Sequence, residues 1–175
     1  GDSTGENSGF LGSGPDLAAA LTAFRAEQPG LARVVGFGNC DAASALMLNA
    51  GAGCGALVLS NPWTIEHDDG APPPAAIRAR YAEKLRNPKE LVRLATGKVS
   101  LGKLAGGIGR ALRPAPPPTS LAQDMRAGLA RFAGPVRLLI ADRDRTAQAF
   151  LGAWDAGDTR IARCPGASHA YVEPE

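Results

Sequence analysis

The sequence predicts an α/β protein with a mostly parallel, doubly wound sheet and a helical cap inserted between two of its strands. Short apolar runs alternate with segments of helical pattern, which is the chain order of a parallel sheet with crossover helices. The run 56–60 (ALVLS) is unbroken, as in strands buried on both faces. A stretch of roughly 70 residues then precedes the next strand, more than a plain connection needs.

Each element has a local reason. After a Gly/Ser-rich start, Pro15 and Asp16 begin a helix, because Asp16 can accept hydrogen bonds from free first-turn N–H groups. Leu17, Leu21 and Phe24 share one face of this helix, which suits packing on a sheet. The predicted elements in order are a helix over 15–28, a strand over 31–38, a helix over 41–50, strands over 56–60 and 136–140, a helix near 146–154 and a strand over 160–164.

The insert divides the chain into three parts. Residues 1–61 and 135–175 form the sheet domain, and residues 62–134 form the cap. The cap range holds twelve Lys or Arg against six acids, a net charge of 12 − 6 = +6, and two PPP runs. Solvated helix faces explain this charge most simply, although it could also attract an anionic acyl donor.

Composition excludes several function classes. The net charge of +2 does not indicate a nucleic-acid partner. No run reaches the roughly 18 apolar residues of a membrane helix, so we expect no stable membrane insertion. Three widely spaced cysteines indicate neither a disulfide framework nor a zinc site, and favour a reducing, cytoplasmic location. His67 lies in a polar run and is interpreted as a solvated loop residue.

The corner RVVGFGNCDAAS, residues 33–44, allows three interpretations. A dinucleotide loop would need a third glycine where Asp41 stands, and an acid to close the next strand, which ends in Ser60 and Asn61. A lone Cys40 would ordinarily be a small buried hydrophobe. The third interpretation is a nucleophile elbow, a strained strand-to-helix turn that needs small neighbours such as Gly38 and exposes its central side chain.

Residues further along the chain favour the elbow. An α/β-hydrolase orders its triad as nucleophile, acid and histidine. Two carboxylates, Asp142 and Asp144, follow the strand 136–140, and His169 lies in a loop after the last strand. We expect Asp144 to be the acid. Asp142 directly follows the strand, whereas Asp144 lies two residues further on, where the chain has passed over the sheet edge toward the histidine loop. Asp142 would then stabilise the turn, paired with Arg143 or Arg145.

These residues resemble the α/β-hydrolase superfamily and, more narrowly, the exosortase A system-associated hydrolases of the hydrolase 1 type. The likeness covers most of the chain and is carried by GDSTGENSGF, GNCDAASALML, LVLSNPW, the GKVSL segment with Lys98, and LLIADRDRTAQAF. The resemblance implies a link to exopolysaccharide biosynthesis and to the sorting of proteins with a PEP-type C-terminal signal. It also implies that strands preceding Gly1 are missing, which would expose a sheet edge and favour a homodimer.

The predicted chemistry is hydrolysis of a small acyl ester or thioester, with no metal or organic cofactor. Cys40 would be the nucleophile, with His169 as its base and Asp144 as the acid that holds the imidazole. The helix start at Cys40 favours a thiolate, and the Asp41 N–H would be one oxyanion donor. Trp63 is a candidate substrate-binding residue. The alternative function is that of a non-catalytic binding protein with the same fold.

Overall fold

The computed structural model describes residues 9–66 and 119–173, and these form a four-stranded, all-parallel sheet with four helices. The strands are β1 (Val35–Asn39), β2 (Ala56–Ser60), β3 (Val136–Ala141) and β4 (Ile161–Cys164), in the spatial order β1-β2-β3-β4. The helices are α1 (Gly14–Glu27), α2 (Asp41–Leu48), α3 (Ser120–Ala130) and α4 (Arg145–Ala153). The predicted α/β class and parallel sheet are confirmed.

The core lies on one face of the sheet. Alternate residues of the two central strands, Leu57 and Leu59 in β2 and Leu138 and Ile140 in β3, are fully or almost fully buried. They form one cluster with side chains from α2, α3 and α4, among them Met47, Met125 and Phe150. Three helices therefore cover this face. The doubly wound arrangement, with helices on both faces, stays a prediction.

Helix α3 belongs to this core, although the sequence placed its residues in the cap range 62–134. Thr119 caps the helix by accepting a hydrogen bond from the Ala122 N–H. Its apolar residues Leu121, Met125 and Leu129 repeat at helical spacing and are buried in the core. A boundary at 134 therefore does not separate the core from the insert. The predicted cap otherwise falls on residues 67–118, outside the described residues.

The chain leaves and re-enters the described core at adjacent points. The Thr119 hydroxyl donates to the Thr64 carbonyl at 3.4 Å, and the Ser120 hydroxyl donates to the Glu66 carboxylate at 2.7 Å. The Leu121 N–H also donates to Glu66. Glu66 and Thr119, which flank the segment 67–118, therefore lie close together.

Strand β1 lies at the edge of the sheet. Its side chains Val35 and Phe37 are 55% and 65% exposed. A groove of about 660 Å³ separates this strand from α1, whose Phe24 is also largely exposed and whose Leu17 is partly buried against the core. The predicted packing of α1 on the sheet is therefore only partial. Association into a homodimer stays a prediction.

Two further features concern the environment of the protein. Among the described helices, none is both long and apolar enough to cross a membrane. All three cysteines lie in the described part of the chain, and none forms a disulfide bond.

Candidate active site

Cys40 occupies a strained turn between β1 and α2. Its backbone has φ 60 and ψ −122, a left-handed conformation that is rare for a residue other than glycine. Gly38 lets the turn close, because a Cβ there would lie 2.6 Å from the Ala43 nitrogen. The Cys40 N–H donates to the Ser60 carbonyl at 2.9 Å and the Trp63 N–H donates to the Cys40 carbonyl at 3.3 Å. This backbone has the features that the sequence predicted for a nucleophile elbow.

Asp144 and His169 meet at the same edge of the sheet. The His169 Nδ1 lies 3.1 Å from the Asp144 Oδ1, and the carboxylate is only 8% exposed. The second carboxylate oxygen accepts the Ala147 N–H at 2.8 Å, so Asp144 is also the N-cap of α4. A hydrogen bond from the Arg143 N–H to the Ala167 carbonyl ties the two loops together. The structure therefore brings together Asp144 and His169, two of the predicted site residues.

Asp142 has a different environment. Its carboxylate accepts hydrogen bonds from Arg163, with Nε and one terminal nitrogen each at 2.8 Å. Its backbone carbonyl accepts from the Gln148 side chain. The arginine partner is on β4 and is neither Arg143 nor Arg145, because the turn points the carboxylate across the sheet edge. Asp142 thus stabilises the turn, as expected, with a partner the sequence did not indicate.

Two asparagine side chains complete the surroundings of the histidine. The Asn39 Nδ2 lies 3.4 Å from the His169 Nε2 and 3.5 Å from the His169 carbonyl oxygen. The Asn61 Nδ2 donates to the Asn39 Oδ1 and to the same carbonyl, both at 3.3 Å. The Asn61 Oδ1 accepts the Ala141 N–H at 2.9 Å. Asn61 is fully buried and has a left-handed backbone with φ 43, which asparagine tolerates better than most residues.

Tyr171 joins this group from the C-terminal loop. Its hydroxyl donates to the Asn61 Oδ1 at 3.3 Å and lies 2.9 Å from the Ser60 hydroxyl. The pKa of Tyr171 is raised, first by burial, and the hydrogen bond with Ser60 opposes this. The phenol is therefore a neutral donor to the buried amide at physiological pH.

The surroundings of the Cys40 thiol favour its protonated form. Burial raises its pKa, while a hydrogen bond with the Asp41 backbone lowers it, and the Asp41 and Asp144 carboxylates raise it further. The net direction is upward. Burial and the two nearby carboxylates thus oppose the preference for a thiolate that the start of α2 predicts.

Asp41 contributes its backbone and its side chain separately. A hydrogen bond between its backbone and the Cys40 side chain puts the Asp41 N–H beside the sulfur. The carboxylate accepts the Ala42 N–H at 2.8 Å and so occupies the first turn of α2. This position suits the predicted oxyanion donor. It is unfavourable for a phosphate, which argues against the dinucleotide loop.

The two tryptophans pack in the protein interior. Trp63 is partly buried against the core, and its indole N–H donates to the Ile65 carbonyl at 2.7 Å. Trp154 stacks on Phe150 with ring centroids 4.8 Å apart, and Arg126 lies 5.1 Å above its ring. Both rings thus serve packing. A role for Trp63 in substrate binding stays a prediction.

Sequence reasoning missed Asn39, Asn61 and Tyr171. A signal for the first two existed, because Asn39 ends one predicted strand and Asn61 follows the next. Parallel neighbours bring such residues to one edge, and Asn39 lies in register with Ser60. Within residues 9–66 and 119–173, no cluster of three or more His, Cys, Asp or Glu could hold a metal ion. Neither Cys40 nor His169 lines the groove beside α1.

Comparison with known proteins gives no assignment: no protein-family model matches the chain, and no curated protein sequence matches it.

Proposed function

We propose that this chain carries the catalytic machinery of an α/β-hydrolase-type enzyme that cleaves an ester or thioester through Cys40, His169 and Asp144. The observation that carries the proposal is the 3.1 Å contact between His169 Nδ1 and Asp144 Oδ1. This pair lies at the sheet edge where Cys40 occupies its left-handed turn. Nucleophile, acid and histidine also follow one another in the chain order of that class.

The first half of the reaction forms an acyl-enzyme. His169 accepts the Cys40 proton at Nε2 while the thiolate attacks the substrate carbonyl, and Asp144 stabilises the imidazolium that results. The Asp41 N–H donates to the oxyanion of the tetrahedral intermediate. Collapse of this intermediate breaks the bond to the leaving alcohol or thiol, which takes the proton from Nε2. The acyl group remains on the sulfur as a thioester.

The second half releases the acid. His169 takes a proton from water at Nε2, and the hydroxide attacks the thioester carbonyl. The carbon–sulfur bond breaks, the acid leaves, and the proton returns to the Cys40 thiolate. The raised pKa of Cys40 supports this concerted route from a neutral thiol, and disfavours a resting thiolate–imidazolium pair.

The substrate class follows from the nucleophile. A thiolate is a better leaving group than an alkoxide, so the tetrahedral intermediate returns to reactants unless the substrate's own leaving group is good. This favours activated esters, lactones and thioesters over amides. By the resemblance of the sequence, we place the reaction in the cytoplasm and in an exopolysaccharide or exosortase system.

Paired substitutions test the proposal. The chain is assayed with p-nitrophenyl acetate and an acetyl thioester as probes. We expect Cys40→Ala to abolish turnover and Asp144→Asn to lower kcat by up to about 10⁴-fold, as for a misoriented triad histidine. The matched variants Cys54→Ala and Asp142→Asn should retain activity within a few-fold. Turnover that survives in Cys40→Ala contradicts the proposal.

The alternative is a binding protein with the same fold. The observations that favour it are the upward shift of the Cys40 pKa and the Asn39 amide beside the His169 Nε2. Alkylation distinguishes the two functions. A catalytic Cys40 reacts with iodoacetamide faster than Cys54 and is protected by an acyl substrate, whereas in a binding protein neither holds.

A further inference from the structure

We propose that Asn61 and Asn39 are positioning residues that hold the neutral His169 ring in the tautomer with its proton on Nδ1. The Ala141 N–H fixes the orientation of the Asn61 amide, and the Asn61 amide in turn fixes that of the Asn39 amide beside the ring. The catalytic value of this arrangement rests on the proposed function, because a base at Nε2 must present a lone pair there. The tautomer itself does not depend on catalysis.

The direction is set at Asn61. A backbone N–H can only donate, so the Ala141 N–H at 2.9 Å requires the Oδ1 of Asn61 on that side. The Tyr171 hydroxyl donates to the same oxygen. The Nδ2 must then point the other way, where the His169 carbonyl at 3.3 Å can only accept. Two groups of fixed polarity thus give the buried amide of Asn61 a single orientation.

The next step runs from Asn61 to Asn39. Because the Asn61 Nδ2 donates, the atom of Asn39 that faces it at 3.3 Å must be the acceptor Oδ1. The Asn39 Nδ2 consequently faces the histidine, where the His169 carbonyl at 3.5 Å again can only accept. Turning over either amide would set two donors or two acceptors against each other.

The last step reaches the imidazole ring. The Asn39 Nδ2 lies 3.4 Å from the His169 Nε2, so in the neutral ring this nitrogen accepts and carries no proton. The proton is therefore on Nδ1, which faces the Asp144 Oδ1 at 3.1 Å. Asp144 favours this tautomer from one side of the ring and the two amides favour it from the other.

Asp144 alone does not determine the surroundings of the His169 Nε2. A carboxylate beside Nδ1 attracts a proton there, yet it places no group at the other ring nitrogen. The Asn39 amide supplies that group, because its Nδ2 lies 3.4 Å from the His169 Nε2. The relay keeps Nε2 unprotonated before any substrate arrives, and the Asn39 N–H must release this lone pair before the Cys40 thiol can donate to it.

Nitrogen NMR tests the relay. The chain is labelled with ¹⁵N-histidine, the His169 signals are assigned with a His67→Gln variant, and spectra are taken at a pH where the ring is neutral. We expect the unsubstituted protein to carry the ring proton on Nδ1. In Asn39→Asp the donor is replaced by an acceptor of the same shape, so Nε2 should gain a proton at the same pH.

A second variant acts without touching the ring. Asn61→Asp keeps the acceptor for the Ala141 N–H but presents a carboxylate oxygen to Asn39. That amide should then turn over, put its oxygen against Nε2 and again draw a proton there. Tyr171→Phe removes a contact from the accepting side of Asn61 alone and should leave the tautomer unchanged. If Asn61→Asp does not fold, Asn39→Asp still decides the question.

The outcomes separate the relay from the proposed function. A proton on Nε2 in the unsubstituted neutral ring, or an unprotonated Nε2 in Asn39→Asp, overturns the relay. Cys40→Ala should keep the same tautomer, since the chain of contacts does not pass through the sulfur. A protein that shows the expected tautomers but no hydrolysis retains the relay and rejects the function. If both hold, kcat/KM should fall about tenfold or more in Asn39→Asp.

Discussion

Cys40 adopts a backbone conformation that costs on the order of 1–3 kcal/mol for a residue with a side chain. The neighbours sustain it. The Ser60 carbonyl accepts its N–H, its own carbonyl accepts the N–H of Trp63 and of Ser44, and Gly38 lets the first turn of α2 approach the strand. The Cys40 thiol in this turn is half-buried, and its burial raises its pKa.

Substitution of Gly38 tests whether close packing maintains the turn. We expect Gly38→Ala to lower the free energy of unfolding by about 1–3 kcal/mol, because the new Cβ would meet backbone atoms of α2 that cannot move aside independently. Urea denaturation measures the change. Gly30→Ala is the control, since a Cβ there meets nothing within 4 Å and should have almost no effect. Equal stability of the two variants contradicts this explanation of the elbow.

Among individual residues, the titratable groups of the candidate site were easier to predict from the sequence than the asparagines that contact them. Cys40, Asp144 and His169 could be chosen because their chain order matches a known chemistry. Asn39 and Asn61 carry no such order, and their roles depend on which atom of each amide faces which neighbour. The Asp142–Arg163 pair likewise depends on the register of β3 and β4, which brings together groups 21 positions apart.

Helix α4 links the site to the last strand. Its N-cap is Asp144, so the carboxylate that faces His169 is fixed by the start of a helix rather than by a loop. Its other end is tied through Asp158, which accepts the Trp154 indole N–H at 2.9 Å and pairs with Arg160 at 2.6 Å. These contacts fix both ends of the connection between β3 and β4.

The Asp158 pair predicts a pH dependence of stability. The hydrogen bonds from Arg160 hold the pKa of this carboxyl well below its usual range. A lowered folded pKa contributes stability that is complete above the unfolded pKa and is lost as pH falls toward the folded value. We expect Asp158→Asn to cost on the order of 1–2 kcal/mol at pH 7 and less below about pH 4.

Urea denaturation at several pH values measures that difference. The loss should shrink progressively as pH falls below about 4, because the unfolded wild-type chain then binds a proton that the folded chain does not. If Asp158→Asn lowers the free energy of unfolding equally at pH 7 and pH 3, the carboxylate charge does not contribute and the prediction is contradicted.

Elements were predictable where periodicity was strong. The strand predicted over 56–60 has those bounds in the structure, and the helix predicted over 15–28 covers Gly14–Glu27. The strand predicted over 31–38 begins only at Val35, because residues 31–34 have strand-like composition but no extended ladder with β2. The sequence prediction assigned the residues of helix α3 to the insert, because the basic composition of that range obscured the helix start at Thr119.

At the scale of the whole molecule, the described residues on either side of the segment 67–118 lie near one another and near the candidate site. Trp63 follows β2 and donates its N–H to the Cys40 carbonyl, and the contacts of Thr64 and Glu66 with Thr119 and Ser120 lie just beyond it. The sheet edge that holds the candidate site is therefore close in space to the residues that flank 67–118.

A deletion tests the boundaries of the core. We expect replacement of residues 67–118 by a short Gly/Ser linker to leave a protein that unfolds cooperatively in urea, because the two ends already meet. Replacement of 67–134, the range predicted from composition, should abolish cooperative unfolding, since it removes the buried residues of α3. Cooperative unfolding of the longer deletion, or its loss in the shorter one, contradicts these boundaries.

The most direct measurement of the central claim is the site of the acyl group. The protein is mixed with an excess of acetyl thioester, quenched in acid within the first turnover, digested and analysed by mass spectrometry. Our account predicts one acetyl group on Cys40 in the unsubstituted protein and almost none in His169→Ala, because His169 takes the Cys40 proton in the acylation step. Acetylation of Cys54 or Cys164 instead, or release of acetate with Cys40 unmodified in every variant, would contradict it.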